Sequence, residues 1–85
     1  MKVEKLRDTA EMMRSVNYKT RFQAEYYQLV IRYKKLTDML EKWDDGKLDF
    51  SPNCSRELLD MQKMIMSNYI AVLESRAKME GIILE

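Results

Sequence analysis

The sequence predicts an all-α protein, in which an antiparallel two-helix hairpin follows a short N-terminal helix. Two long stretches carry apolar residues spaced alternately by three and four positions, which is the period of a helix face. Only two glycines and one proline interrupt 85 residues, and 34% of the residues are charged, as is typical of long helices. We divide the chain into an N-terminal helical segment, residues 1–16, and a helical hairpin domain, residues 17–85.

The N-terminal segment has a short apolar stripe of its own. The stripe consists of Val3, Leu6, Ala10 and Met13. Its spacing continues to Asn17 and Thr20, which are polar, whereas the stripe of the following helix extrapolates back to Tyr18. We therefore expect a short helix and then a bend or change of face near residues 15–18. A continuous helix with a shifted face is the alternative.

The first long helix has the clearest periodicity in the chain. Its seam is formed by Phe22, Tyr26, Leu29, Tyr33, Leu36, Leu40 and Trp43. The spacing of four and three is held for three heptads, as in the a and d positions of a coiled coil. We expect the helix to end near Asp44, Asp45 and Gly46, because glycine tolerates the left-handed conformation that often follows a helix.

The second long helix is predicted from Pro52 to Met79 or Glu80, with Ser51 as its N-cap and Gly81 after its end. Its predicted seam is Leu59, Gln62, Met66, Tyr69, Leu73 and Arg76. Both helices then have about 27 residues, or roughly 40 Å of length. Matched lengths and a short connector favour an antiparallel hairpin.

A lone hairpin leaves part of this apolar surface uncovered. A second stripe runs beside the seam of the second helix: Leu58, Met61, Ile65, Val72 and Met79. A chain this short is marginally stable without a staple, and one cysteine and no histidine allow neither an internal disulfide nor a typical zinc site. We therefore expect a homo-oligomeric helical bundle. The alternative is a self-contained three-helix fold, in which the N-terminal helix covers the second stripe.

The residue types argue against catalysis. There is no histidine, no glycine-rich phosphate loop and no metal-ligand cluster, so we expect no enzyme, no metal and no cofactor. Asp44, Asp45 and Asp49 do not have calcium-loop spacing, and we interpret them as solvated turn residues. Cys54 lacks a neighbouring base and is interpreted as an inert thiol.

Charge and hydropathy argue against long nucleic acids and membranes as partners. A net charge of +1 gives no sign of long nucleic-acid binding. No apolar run approaches the ~20 residues that span a bilayer, so no membrane partner is expected. The first residues lack the apolar core of a signal peptide. Together with the lone thiol, this predicts a cytoplasmic location.

A basic and aromatic cluster near the start of the first long helix is the candidate ligand site. The antiparallel hairpin brings Arg76 and Lys78 beside it, and its own residues are Asn17, Tyr18, Lys19, Arg21 and Phe22. The residues that we expect to bind the ligand are Tyr18, Lys19, Arg21 and Arg76. Arginine binds phosphate through two parallel hydrogen bonds, and tyrosine offers a stacking surface for a base. Arg76 either pairs with Glu25 or faces an anionic ligand. An ordinary solvated helix face is the alternative interpretation of the cluster.

The order Gln62-x3-Met66-x2-Tyr69-x3-Leu73-Glu74-x-Arg76, after Phe22-x2-Glu25-Tyr26, resembles a family of small helical-hairpin proteins of crAss-like and other tailed bacteriophages. The resemblance covers roughly residues 20–80. In size, hairpin architecture and expected oligomerisation the chain is more distantly similar to phage sponge proteins that counter the CBASS and Thoeris defences. Their sequence motifs are absent, so no binding residue is carried over.

The resemblance implies a phage accessory protein in the cytoplasm of an infected bacterium. Its most concrete form is an oligomeric sponge that sequesters a nucleotide-derived immune signal, of the cyclic oligonucleotide or cyclic ADP-ribose type. The expected partners are copies of the chain itself and this signal. A host defence protein is the partner in the alternative hypothesis of a protein-binding inhibitor, anchored by a helix face or the tail Ile82-Ile83-Leu84. A structural coiled-coil adaptor is the third hypothesis.

Overall fold

The computed structural model describes residues 3–84, which form helices and connecting segments without a strand. A 3-10 helix, Leu6–Thr9, runs directly into the short helix α1, Ala10–Met13. Two long helices follow: α2, Tyr18–Asp44, and α3, Arg56–Glu80. The predicted all-α class is confirmed. The predicted domain limits at residues 1 and 85 lie outside the described residues.

Helix α2 begins and ends as its sequence predicts. The Asn17 side chain caps its start by accepting a hydrogen bond from the Lys19 N–H, with 2.9 Å between the two atoms. Gly46, two residues after its end, has the positive φ of +69° that a left-handed residue requires. Three residues of the predicted seam are buried, namely Phe22, Leu29 and Leu40. The predicted face of α2 is therefore the one that packs inside the hairpin.

Helix α3 begins four residues later than predicted. Ser55, rather than Ser51, is the N-cap, and its hydroxyl accepts a hydrogen bond from the Leu58 N–H at 3.2 Å. The Arg56 guanidinium lies against Asp44, the last residue of α2. A helix starting at Pro52 would extend one turn past Asp44, the last residue of α2. Helices in proteins are stabilised mainly by packing against other elements, so Pro52 belongs to the connector.

Contacts between α2 and α3 run in opposite order along the two helices. Asp44 pairs with Arg56 at the connector end, which we call the closed end. At the other, open end, the Tyr26 hydroxyl donates a hydrogen bond to Glu74 at 2.8 Å. The Gln23 amide donates to the Ile83 carbonyl at 2.9 Å. The two helices therefore form an antiparallel hairpin.

The seam of α3 is rotated relative to the prediction. Its inner seam, the residues that pack towards α2, consists of Leu59, Met66, Ile70, Leu73 and Ala77. Gln62, Tyr69 and Arg76 were predicted seam residues but are exposed. A three-and-four spacing fits two adjacent faces equally well, and the apolar Ile70 and Ala77 decide between them.

The N-terminal segment forms a short helix and breaks before Tyr18, as predicted, but its buried face differs. Thr9 and Met12 are buried, whereas Ala10 and Met13 are exposed. The 3-10 stretch has three residues per turn, which spoils a stripe extrapolated at α-helical spacing. The Gln28 amide of α2 donates to the Thr9 hydroxyl at 2.9 Å. Within residues 3–84 this segment packs on α2 and makes no contact of comparable extent with α3.

Candidate functional site

The open end of the hairpin is organised around a small apolar core. Phe22, Leu73, Ala77 and Ile82 are buried together there. Gly81 ends α3 with a φ of +68°, and this left-handed turn folds the chain back. The Ile82 N–H then donates to the Ala77 carbonyl at 2.9 Å. The C-terminal tail is therefore part of the wall of this end.

Arg76 lies across this core rather than in an ion pair with Glu25. Its guanidinium carbon is 4.8 Å from the centre of the Phe22 ring, a cation–π contact. Its Nε donates to Glu80 at 2.9 Å. Glu25 instead accepts a hydrogen bond from the Tyr69 hydroxyl. The two terminal guanidinium nitrogens of Arg76 have no hydrogen-bond partner among residues 3–84.

The other three predicted site residues occupy the first turn of α2. Tyr18 and Lys19 precede Phe22 by four and three residues, so they lie one turn away on the same side. Both are exposed. Arg21 is also exposed, but its Nη1 donates to the Ser15 carbonyl at 2.7 Å, which fixes it to the segment before α2. Arg76 therefore contacts the Phe22 ring, Tyr18 and Lys19 lie one turn before Phe22 on α2, and Arg21 lies to the side.

Phe22 belongs to the predicted basic and aromatic cluster, but it was not among the four residues expected to bind the ligand. It was identified as a seam residue, and it is indeed 95% buried. Its ring also carries the Arg76 guanidinium, which makes it the platform of the cluster. The signal was present in the sequence, since the two residues occupy facing ends of the two predicted seams.

A groove of about 310 Å³ lies beside this cluster. Its lining combines apolar side chains with one cation and one carboxylate. The lining residues are Tyr26, Glu74, Ala77, Lys78, Ile82 and Leu84. Burial, and then the hydrogen bond to Glu74, raise the pKa of Tyr26 to about 12. The phenol therefore remains protonated at neutral pH.

The C-terminal tail, residues 82–84, forms part of this groove. Its position was not predicted from the sequence. Ile82 is buried, and Leu84 packs against the same cluster, so the tail is not a free apolar anchor. Ile83 alone of the three tail residues is strongly exposed. A peptide following a helix carries no periodic pattern, which is why its position could not be predicted from spacing.

The closed end has two further grooves, of about 360 Å³ and 260 Å³, which share Leu48 and Phe50. Here the Arg56 guanidinium stacks on Trp43, 5.4 Å from the ring centre, and pairs with Asp44 and Asp60. The hydrogen bond from Arg56 lowers the pKa of Asp44. Residues 3–84 contain no group of three or more side chains suited to hold a metal ion.

The second stripe of α3 is exposed along its length, and we call it the outer stripe. Leu58, Ile65 and Val72 each retain more than half of their accessible surface. Met61 and Met79 do so as well. No helix among the described residues is both long enough and apolar enough to span a membrane. An exposed apolar stripe of this length is typical of an interaction surface.

One known protein family matches most of this chain. The Sequestin family model matches residues 16–79, about three quarters of the chain. The chain belongs to the Sequestin family. The match begins just before α2 and ends at the last turn of α3. It includes the Tyr18, Lys19, Phe22 and Arg76 cluster and the outer stripe, and it leaves out residues 1–15.

The family name denotes sequestering, and it indicates that this Sequestin has a binding role. The predicted similarity to sequestering proteins is confirmed at the level of the family. No curated protein and no solved structure matches the chain.

Proposed function

We propose that this Sequestin is a phage accessory protein, an oligomeric sponge acting in the cytoplasm of an infected bacterium. Its ligand is a nucleotide-derived immune signal, either a cyclic oligonucleotide or a cyclic ADP-ribose derivative. The ligand is held and not converted, so the protein acts in stoichiometric amounts. The family's sequestering role supports the mode of action, and the chemistry of the open end supports the class of ligand.

The observation that carries the proposal is the position of Arg76. A guanidinium stacked on an aromatic ring is held in place, and little freedom remains to be lost on binding. Its two terminal nitrogens have no partner among residues 3–84, and together they can donate two parallel hydrogen bonds to phosphate oxygens. Arginine is preferred to lysine for this contact, since its planar donors match the phosphate geometry.

The neighbours of Arg76 suit the remaining parts of a nucleotide. The Tyr18 ring, half exposed one turn before Phe22, offers a face on which a base can stack. Lys19 supplies a further positive charge for a phosphate. The groove beside Tyr26 and Lys78 offers apolar contacts, and its carboxylate Glu74 can accept hydrogen bonds from ribose hydroxyls.

The decisive experiment is a thermal shift measurement against cyclic dinucleotides, cyclic trinucleotides and ADP-ribose derivatives. A ligand present at 100 times its Kd should stabilise the folded protein by about 2.7 kcal/mol. We expect Arg76→Gln to abolish the shift, and Arg32→Gln, an exposed arginine in the middle of α2, to leave it unchanged. Absence of a shift with every compound would overturn the proposal.

Recovery of the ligand separates a sponge from an enzyme. After incubation and denaturation of the protein, we expect the bound compound to return intact and in an amount equal to the number of sites. A changed product that accumulates beyond that amount would show turnover instead.

A protein-binding inhibitor of a host defence enzyme is the second candidate, and the exposed outer stripe of α3 favours it. An amphipathic helix face can dock in a hydrophobic groove of a partner. The tail contributes only Ile83 to such a contact, since Ile82 is buried. A stoichiometric host protein retained from a bacterial lysate by the wild type, but not by Ile65→Lys, supports this function. A structural coiled-coil adaptor would bind neither ligand nor host enzyme.

A further inference from the structure

The outer stripe of α3 has the spacing of a complete coiled-coil seam. Leu58, Ile65, Val72 and Met79 recur every seven residues, as a positions do. The d positions between them are Met61, Asn68 and Ser75. The stripe therefore repeats over three heptads on a helix of 25 residues, about 37 Å long. It is a second seam on the same helix, facing away from α2.

Nothing within the described chain covers this seam. The N-terminal segment, which could have done so, packs on α2 instead. The chain exposes 6405 Å², against about 5,300 Å² expected for a compact monomer of this mass. The excess of roughly 1,100 Å² is comparable to the ~800 Å² per partner that a standard interface buries.

We propose that the outer stripe pairs with the same stripe of a second copy, with the two α3 helices antiparallel. In such a pair each a residue shares a layer with a d residue of the other copy. The layers are Leu58 with Ser75, Met61 with Val72, and Ile65 with Asn68. The two residue numbers within each of these layers add to 133. A twofold axis therefore passes between residues 66 and 67.

Charge at the edge of the stripe selects this register and direction. Glu57 and Lys78 are exposed g positions at opposite ends of α3. In the antiparallel pair they meet Lys78 and Glu57 of the second copy, which gives two symmetric ion pairs. A parallel pair would set Glu57 against Gln62 and Ala71 against Arg76, without any ion pair. Charges at these flanking positions set the orientation of coiled coils.

The same register brings the ligand cluster to the edge of the interface. Arg76 is an e position, and its counterpart in the second copy is Ser55, the N-cap of α3. The open end of one copy therefore lies beside the closed end of the other. The pairing supplies the oligomer on which the proposed function rests, but it requires no ligand.

Disulfide trapping tests the pairing in the full chain, in a Cys54→Ser background. Disulfides require Cα atoms within about 7 Å. The double variant Met61→Cys/Val72→Cys should form a covalent dimer under mild oxidation, because these positions share a layer. The single variants should not, since each residue lies about 16 Å along the axis from its own counterpart. Dimers of both single variants would show a parallel pair, and no dimer of any variant would overturn the interface.

A charge exchange gives a second and independent test. Glu57→Lys alone should weaken dimerisation, and Glu57→Lys/Lys78→Glu should restore it, because both ion pairs return with reversed sign. Failure of the double variant to recover would contradict the register. Both tests are made without ligand, so their outcome is separate from the thermal shift result that judges the proposed function.

Discussion

The two faces of α3 have the same spacing and opposite environments. On the inner seam Leu73 is 1% exposed, because α2 and the C-terminal tail enclose it. On the outer stripe its sequence neighbour Val72 is 54% exposed. A hydrophobic pattern therefore specifies which faces need a partner, but it does not say whether the partner lies in the same chain. The inner seam builds the hairpin, and the outer stripe stays exposed on the single chain.

Truncation of one side chain to alanine on each face should give the largest difference in stability between the two faces. Leu73→Ala leaves a cavity in the core and should lower the free energy of unfolding by about 2–5 kcal/mol. Val72→Ala removes exposed methyl groups and should act through the dimer alone. Denaturation at two protein concentrations separates these effects, because only a loss of dimerisation depends on concentration. A loss of equal size at both concentrations for Val72→Ala would contradict the distinction.

A charge on the outer stripe should dissociate the assembly without unfolding the hairpin. Ile65→Lys places an ammonium group in the central layers of the proposed interface, where it cannot be solvated. We expect the mass measured by light scattering to fall to that of one chain, with the helical circular dichroism retained. Ser67→Lys, an exposed substitution outside the a and d positions of the same helix, is the matched control and should keep the wild-type mass.

The hydrogen bond between Tyr26 and Glu74 lies beside the inner seam. It should contribute less to the free energy of unfolding than the buried apolar residues do. Tyr26→Phe removes the hydrogen bond to Glu74 and should lower stability at neutral pH by about 1 kcal/mol. The folded pKa of about 12 exceeds the ordinary value of 10, so this contribution is complete below pH 10 and is lost as pH rises towards 12. Absorbance titration of the phenols should show one late ionisation in the wild type that Tyr26→Phe lacks.

The smallest expected effect is at the closed end. The pKa of Asp44 is lowered by the Arg56 hydrogen bond, so its stabilising contribution is present above the ordinary carboxyl pKa of 3.8. It is lost as pH falls through the lower folded value. Asp44→Asn should therefore lie below the wild type in Tm at neutral pH, and the two curves should converge in acid. Curves that stay parallel would show that this pair does not stabilise the fold.

The parts of the fold that depend on local patterns could be predicted from the sequence. The seam from Phe22 to Trp43 and the glycine ends at Gly46 and Gly81 were read correctly, because spacing and φ requirements are properties of short segments. The start of α3 was not, since Ser51 and Ser55 are equally good caps and the end of α2 decides between them. The rotation of the α3 seam was missed for the same reason.

The candidate site was predictable only in part. Basic and aromatic residues near Tyr18 could be identified, and antiparallel pairing brings Arg76 to them. Its contact with Phe22 depends on the rotation of α3, which places the guanidinium over the ring instead of beside Glu25. The groove beside Tyr26 needs the tail to fold back at Gly81, and this follows from tertiary packing at Ile82.

The most direct test of the comparison between the two faces is the mass of the wild-type chain in solution, measured by light scattering over a wide range of concentrations. The exposed outer stripe predicts twice the chain mass of 10.2 kDa, or an even multiple of it, without added ligand. A single-chain mass at every concentration would contradict the account, because the outer stripe would then remain uncovered in the absence of any other partner.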